Sequence, residues 1–290
     1  MQDILKMYYG IDVNIEKYGY FTYMNKLYYF CCIPHIKAFL DIYRYYRYIM
    51  YQCGCLGYQI VKNHNQDMIS HHHILLCYEE SPFDFPVYLQ QILQPATFQK
   101  MLIKDIKERW ISKIDCVRDK VKEFAYSFKH DQDIISLIYY YCGVGENSIN
   151  VLNEILMIDE KASVPLALSL SHPIPNYVHD ILNPINYTIS SRARQLICLL
   201  KSHLMSYDNI AELLEMQYYD VYEIIYIYAR ILYPSTFFDD ALHNRLDSIK
   251  IQAYYQHIEE EKNMYREMLR LLSFYVTLPK ISWINNENML

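Results

Sequence analysis

The hexapeptide SPFDFP at residues 81–86 separates two patterns that cannot belong to one uniform fold. Two prolines behind the Glu79-Glu80 pair neither continue a strand nor open a long helix. Before this break, aromatic runs of strand character flank a single helical pattern. Beyond it the periodicity is almost wholly helical. The boundary therefore falls between a β-rich small lobe, residues 1–83, and a helical lobe, residues 84–290. The fold class that follows is α+β, a small mixed sheet with one helix joined to a larger, mainly helical part.

In the first lobe, residues 1–9 predict a short helix stopped by Gly10. Residues 18–24 and 27–33, separated by Asn25-Lys26, read as a β-hairpin closed by Pro34. Phe39, Ile42, Tyr45, Tyr46, Ile49 and Met50 recur at three- and four-residue spacing, which predicts a helix over 36–52. Strands are expected at 57–62 and 73–78, around a polar turn at 63–67. In the second lobe, helices are predicted over 95–114, 116–129, 131–141 and 148–158, with Asp131 and Ser148 as N-caps. Residues 165–186, with four prolines, read as irregular. Helices resume at 191–205, 209–216, 219–232 and 240–275, the last breaking near Asn263.

A chain of 290 residues buries a full core without help from metals or disulfides. Its net charge of -6 and pI near 6.0 leave no basic stripe, which argues against a nucleic-acid partner. No uncharged apolar run reaches the length of about 18 residues that a membrane span needs. The N-terminal MQDILKMYYG lacks a signal segment, so the eight scattered cysteines are read as reduced thiols of a cytoplasmic product. The unusual feature is 32 tyrosines against six glycines. Each tyrosine joins a large apolar face to a polar tip, so the excess serves both cores and sticky surfaces.

Few clusters carry chemistry on their own. His71-His72-His73 has the ligand type for zinc, copper or nickel, but consecutive strand residues point to opposite faces. Cys53-Gly54-Cys55 has no second pair at zinc-finger spacing. Cys31 and Cys32 read as small core residues. The clusters Tyr45-Tyr46, Tyr139 to Tyr141, Tyr218-Tyr219 and Tyr254-Tyr255 read mainly as packed rings with outward hydroxyls, oxidative cross-linking being the alternative. Residues 259–267 form a solvated, charge-paired helix face. Tyr187 with Arg192 and Arg194 is a basic, aromatic-edged group suited to a phosphate or carboxylate.

Four stretches carry a resemblance to a known family: MYYGIDV at 7–13, KERWISKID at 107–115, YYYCGVGENSI at 139–149 and YARILYPSTFFDD at 228–240. Together, in this order, they resemble spore coat-associated proteins of the YutH type, relatives of the CotS group. That family is placed in the aminoglycoside-phosphotransferase or choline-kinase branch of the kinase-like fold. The resemblance implies a phosphate-covering loop, a lysine on the third strand, an acidic residue on the next helix, a catalytic-loop aspartate and a metal-binding aspartate.

This chain departs from each of these. Gly19 is the single glycine between Val13 and Met24, and the strand LYYFCCI at 27–33 has no lysine, Lys26 lying just outside it. The helix over 36–52 offers Asp41 but no glutamate. The catalytic loop reads Ser171-His172-Pro173-Ile174, with proline and isoleucine where a glycine and a general base are expected, and neither accepts a proton. Asn176 or Asn183 stands for the loop asparagine, Asp180 is a lone carboxylate able to bind a metal weakly, and residues 183–189 contain no acid. Gln195 follows Arg194 where the family has Arg-Asp.

The resemblance and these departures together imply a catalytically degenerate kinase-like protein of the endospore coat, with no catalytic residue, no metal and no cofactor. His172 marks the degenerate loop. Its expected partners are other coat proteins, and its expected location is the mother-cell cytoplasm and then the coat. The alternatives are an active small-molecule phosphotransferase using Asp180 and Asn183 with ATP and Mg, or a nucleotide binder without turnover, Arg192 and Arg194 being the candidate cofactor contacts.

Overall fold

The computed structural model describes residues 2–15, 19–95, 100–127, 132–173, 178–216 and 219–285. In chain order the elements are α1 (Gln2–Tyr9), β1 (Tyr20–Tyr23), β2 (Lys26–Cys32), α2 (Ile36–Gln52), β3 (Gly57–Val61), β4 (His73–Glu79), α3 (Phe85–Ile92), β5 (Lys100–Leu102), α4 (Ile103–Ser127) and α5 (Gln132–Ile158). There follow β6 (Ser163–Leu170), α6 (Val178–Ile181), a 3-10 turn (Pro184–Asn186), β7 (Tyr187–Ser191), α7 (Arg192–Lys201), α8 (Tyr207–Met216), α9 (Val221–Leu232), α10 (Ser235–Leu242), α11 (Ser248–Leu272) and α12 (Ser282–Asn285). The result is the expected α+β class, a small antiparallel sheet and a larger helical part. No described helix is long and apolar enough to cross a membrane.

The chain divides into two compact units. The first comprises Met1–Ala96 and Ala167–Ser190; the second comprises Thr97–Leu166 and Ser191–Leu290. Residues 167–190, which the sequence pattern assigns to the helical lobe, thus cluster with the small sheet.

The first unit holds a four-stranded antiparallel sheet of order β1-β2-β4-β3. Its hairpin turn falls at Met24-Asn25, both at positive φ (47° and 60°), the geometry that matches strand twist in a two-residue turn. This is one residue earlier than the sequence reading. Leu5, Tyr9 and Ile11 pack with Phe21, Phe30 and Leu75 against the sheet, so the α1 stop at Gly10 is a core feature. Helix α2 matches its expected span and buries Phe39, Tyr46, Ile49 and Met50. The 81–86 segment yields a helix as well as a break. Asp84 caps α3 through the Val87 N–H at 3.0 Å, and Pro86 sits in the first turn, where its missing N–H costs nothing.

In the second unit several expected breaks are absent. Helix α4 runs through Asp115, because Ile106, Trp110, Ile114 and Val117 keep one buried stripe across that point. Helix α5 is continuous where two helices were expected. Its Ser148 is no cap but bonds the Gly145 carbonyl at 2.6 Å. Asp131, expected as a cap, lies outside the described residues. Helix α11 passes Asn263 unbroken, since that side chain faces solvent and accepts from Arg266 at 2.9 Å. Asp240 belongs to α10 instead of opening α11, and its carboxylate accepts from Lys250 Nζ at 2.7 Å and Tyr254 Oη at 3.0 Å. Within the stretch read as irregular, Pro165 is part of β6, opposite Lys100 of the three-residue strand β5. It stands near the start of β6, its third residue, where the pairing with β5 spans only three residues.

The two helical glycines of α5 have opposite surroundings. A Cβ at Gly145 would lie 2.9 Å from Ile114 Cδ1 and 3.0 Å from Phe238 Cζ, while at Gly143 it would meet nothing within 4 Å. Gly143→Ala should therefore raise unfolding free energy by about 1 kcal/mol through helix propensity. Gly145→Val should lower it by about 1–3 kcal/mol through overpacking. Urea titration of the two variants checks the pair.

Candidate functional site

The segment running into β7 is where the family resemblance would place catalysis, and in this chain it is fastened by tyrosine hydroxyls. Tyr187 is 4 % exposed, and its hydroxyl donates to the Ile181 carbonyl at 2.5 Å and lies 2.7 Å from the Tyr88 hydroxyl. Burial raises the pKa of Tyr187 well above its ordinary value, with Tyr88 adding to the effect. Tyr46, fully buried on α2, donates to the Leu182 carbonyl and accepts the Tyr58 N–H at 3.1 Å. Two consecutive carbonyls, Ile181 and Leu182, are thereby satisfied away from water.

Asp180 and Asn183 are brought together around a third tyrosine. Tyr20 Oη donates to Asp180 Oδ1 at 3.2 Å and accepts from Asn183 Nδ2 at 2.9 Å. The other end of the Asn183 amide caps the 3-10 turn, Oδ1 accepting from Ile185 N at 3.1 Å. Pro184 at the first position of that turn suits the cap. Asn186 donates to the Asp180 carbonyl at 2.8 Å, and its own carbonyl accepts from Ser171 N at 2.8 Å and Ser171 Oγ at 3.1 Å. His172 is exposed and stands 3.0 Å from Ser171 Oγ, and Ile174 and Asn176 lie outside the described residues.

The face of β2 towards this cluster carries Tyr29 and Cys31. The Tyr29 ring packs 4.5 Å from Tyr20, and burial pushes the Cys31 thiol up to about 12, helped by Cys32, so it is neutral at physiological pH. Lys26 is exposed at the strand start. Asp41 of α2 faces solvent and pairs with Arg44 at 3.1 Å. Gly19 serves a close approach of chains: its carbonyl accepts the Phe30 N–H at 2.9 Å, and a Cβ would sit 2.6 Å from the Phe30 carbonyl oxygen. A groove of about 690 Å3 at the end of the sheet is lined by Lys26, Leu27, Tyr78, Glu79, Glu80 and His179, among others. Its two carboxylates outnumber its one ammonium, an unfavourable balance for phosphate groups.

Arg192 and Arg194 lie in the second unit. Arg192 is held by Glu223, Nε to Oε1 at 2.6 Å with a second bond from Nη2, both side chains 6 % exposed. Burial pulls its pKa down, but the Glu223 bonds more than offset this, and the Tyr219 ring stacks 3.8 Å from the guanidinium. Glu223 also closes a capping box with Asp220 at the start of α9. Arg194 is lowered by burial and by Arg230. Gln195 is fully buried.

The three histidines diverge. His71 and His72 form a turn at positive φ, Tyr8 bonds His71, and His73 alone is in a strand, its ring stacked on Phe30 at 5.3 Å. Cys53 and Cys55 are buried free thiols. Among the described residues no group of three His, Cys, Asp or Glu side chains is placed to hold a metal ion. The structure adds Tyr20, Tyr46, Tyr88 and Asn186 to the residues that build this segment, and it gives Tyr187, expected at the edge of a basic group, a buried hydroxyl bonded to the Ile181 carbonyl. The Asn183-Pro184 step is the sequence signal of an Asx-type cap before proline and marks Asn183, beside which Asn186 closes the turn. The long-range tyrosine bonds had no local signal.

No family model and no curated protein matches the sequence. Among solved structures the chain is similar to spectinomycin phosphotransferase, APH(9)-Ia, crystallised in complex with ADP and spectinomycin, with TM-score 0.52 and 13% identity over 94% of this chain and 96% of that one. The fold is thus that of the kinase-like aminoglycoside phosphotransferases. At this identity the likeness defines the architecture alone.

Burial pushes Tyr20 up to about 12, with Asp180 raising it further and the Asn183 bond opposing. A raised folded-state pKa stabilises fully below the ordinary value near 10 and is lost as pH climbs towards 12. The Tyr20 contribution to unfolding free energy should therefore hold level up to about pH 10 and fall between about pH 10 and 12, on top of the loss that the buried Cys31 thiol brings from about pH 9. Tyr20→Phe should cost about 1–2 kcal/mol at pH 8 through the lost hydrogen bonds and make the alkaline fall shallower. Urea midpoints at stepped pH measure both.

Proposed function

We propose that this chain is a catalytically degenerate kinase-fold protein that works through protein contacts. The single observation behind this reading is the state of Asp180. It is the lone carboxylate among the described residues of the segment between β6 and β7, and it is engaged by Tyr20 beside Asn183. Phosphoryl transfer depends on placed cations and a base at the reacting oxygens. The β2 face offers a tyrosine and a neutral thiol in place of a lysine.

The four segments that resemble spore coat-associated proteins support a role in the endospore coat, with other coat proteins as partners. Synthesis in the mother-cell cytoplasm followed by recruitment to the coat fits the same resemblance. The solved neighbour binds ADP, which favours one second reading: a phosphotransferase of unorthodox site, with Asp180 and Asn183 as its polar groups and ATP with Mg as cofactors, or a nucleotide binder without turnover.

Thermal unfolding with ATP and Mg separates these. A ligand at a hundred times its Kd stabilises by about 2.7 kcal/mol, several degrees in a chain of this size. The proposal expects no shift at 5 mM nucleotide and no release or transfer of the γ-phosphate. A shift without turnover supports the binder. Turnover abolished by Asp180→Asn establishes the enzyme and removes the proposal.

A further inference from the structure

In the second unit a cavity of about 910 Å3 opens at the C-terminal end of α7, bounded by the following turn, the start of α8, α10 and α11. Its volume lies within the usual range of small-molecule sites, about 300–1,000 Å3. Leu200, Leu204, Phe237 and Met264 give it an apolar body. Lys201, the last residue of α7, adds an ammonium to this wall. Among the described residues its Nζ makes no ion pair and no hydrogen bond. Burial lowers its pKa, and Glu261 acts on it only through space. Glu261 is itself engaged, accepting from the Tyr141 hydroxyl at 3.0 Å.

Lys201 is half-buried against this wall, and an ammonium that gives up part of its hydration without gaining a partner is destabilised, because the solvation it loses is not replaced. Such a group is offset by an anion arriving with a ligand. The remaining carboxylates restrict which anion. Glu260, tied to His257 at 2.9 Å, and Glu267 are exposed residues that also line the cavity. They face an incoming ligand with like charge and disfavour anything carrying several negative charges. The apolar walls require a hydrocarbon or aromatic body.

We propose that this cavity binds a small monoanionic amphiphile, with its single acid group on Lys201 and its apolar body against Leu200, Leu204, Phe237 and Met264. The site is separate from the nucleotide question, and its test does not depend on that answer.

The probe is 8-anilinonaphthalene-1-sulfonate, one sulfonate on an aromatic body, titrated by fluorescence into the full chain under native conditions. Saturable binding at one site is expected. Decanoate should displace the probe, whereas decanol, of equal chain length without the charge, should displace it about tenfold less well, as should ATP. Lys201→Met, which keeps the volume and removes the charge, should weaken probe binding about tenfold or more with the thermal midpoint unchanged or raised. Leu204→Trp should block the cavity and abolish binding. If either variant fails to fold, the decanoate-to-decanol comparison on the native chain decides alone. Equal displacement by decanol, an unchanged Kd in folded Lys201→Met, or the absence of saturable binding overturns the proposal.

Discussion

A hydroxyl taken out of water must find its partners inside the protein, and the hydroxyl of Tyr46 finds two that lie far apart in sequence. It receives the N–H of Tyr58 on β3 and gives its proton to the carbonyl of Leu182. Helix α2, the sheet and the segment before β7 are thus held to one point. Gly57 shares the constraint. It stands at φ +57°, and a Cβ there would overlap the Tyr46 hydroxyl. Glycine therefore meets two demands at this position, a left-handed backbone and room for a ring tip. Tyr187 and Tyr88 repeat the device one residue earlier at Ile181, so the course of the segment is fixed by buried neutral donors.

This mode of support has electrostatic consequences. An enzyme that moves phosphate needs donors and cations left free to meet developing charge. In the 180–187 segment the polar groups already answer one another: Asn183 divides its amide between Tyr20 and its own turn, Asn186 spans Asp180 and Ser171, and Asp180 accepts from Tyr20. A ligand would have to replace these bonds before gaining its own. The buried Arg192–Glu223 pair follows the same logic, since the guanidinium that could meet a phosphate is neutralised by a carboxylate that also caps α9. Removing either partner would strand a buried charge, which makes the pair persistent even if it adds little net stability.

The parts of the fold that were legible in the sequence are those set by local signals. Helix α2 runs over its expected 36–52 span because its apolar spacing is regular and Cys53-Gly54 ends it. The strands and the α1 stop are similarly local. Elsewhere packing overrides the local signal. Helix α5 runs on through Gly143 and Gly145 where two helices were expected, and Gly145 leaves room for Ile114 and Phe238 to close against it. Pro86 looked like a pure breaker, yet with Asp84 it opens α3. Asp180 and Asn183 were legible as polar candidates. Their meeting at Tyr20, 160 and 163 residues away, was not, since it depends on where the hairpin lies once the sheet has formed.

The tyrosine excess then reads differently by position. Tyr46 and Tyr141, members of the clusters considered for oxidative coupling, are fully buried, and Tyr254 donates to Asp240, so none presents a free ring to a partner. Tyr218 lies outside the described residues. Among the described residues the tyrosines with surface to offer include Tyr48, Tyr51 and Tyr139, which are 54%, 78% and 60% exposed, followed by Tyr255 and Tyr275 at 38% and 36%. Tyr48 and Tyr51 stand three residues apart on α2, hence on neighbouring positions of its outer face. One helix therefore uses its tyrosines in two ways. Its inner face holds the 181–182 carbonyls in place, and its outer face displays rings whose amphipathic character suits contact with another protein.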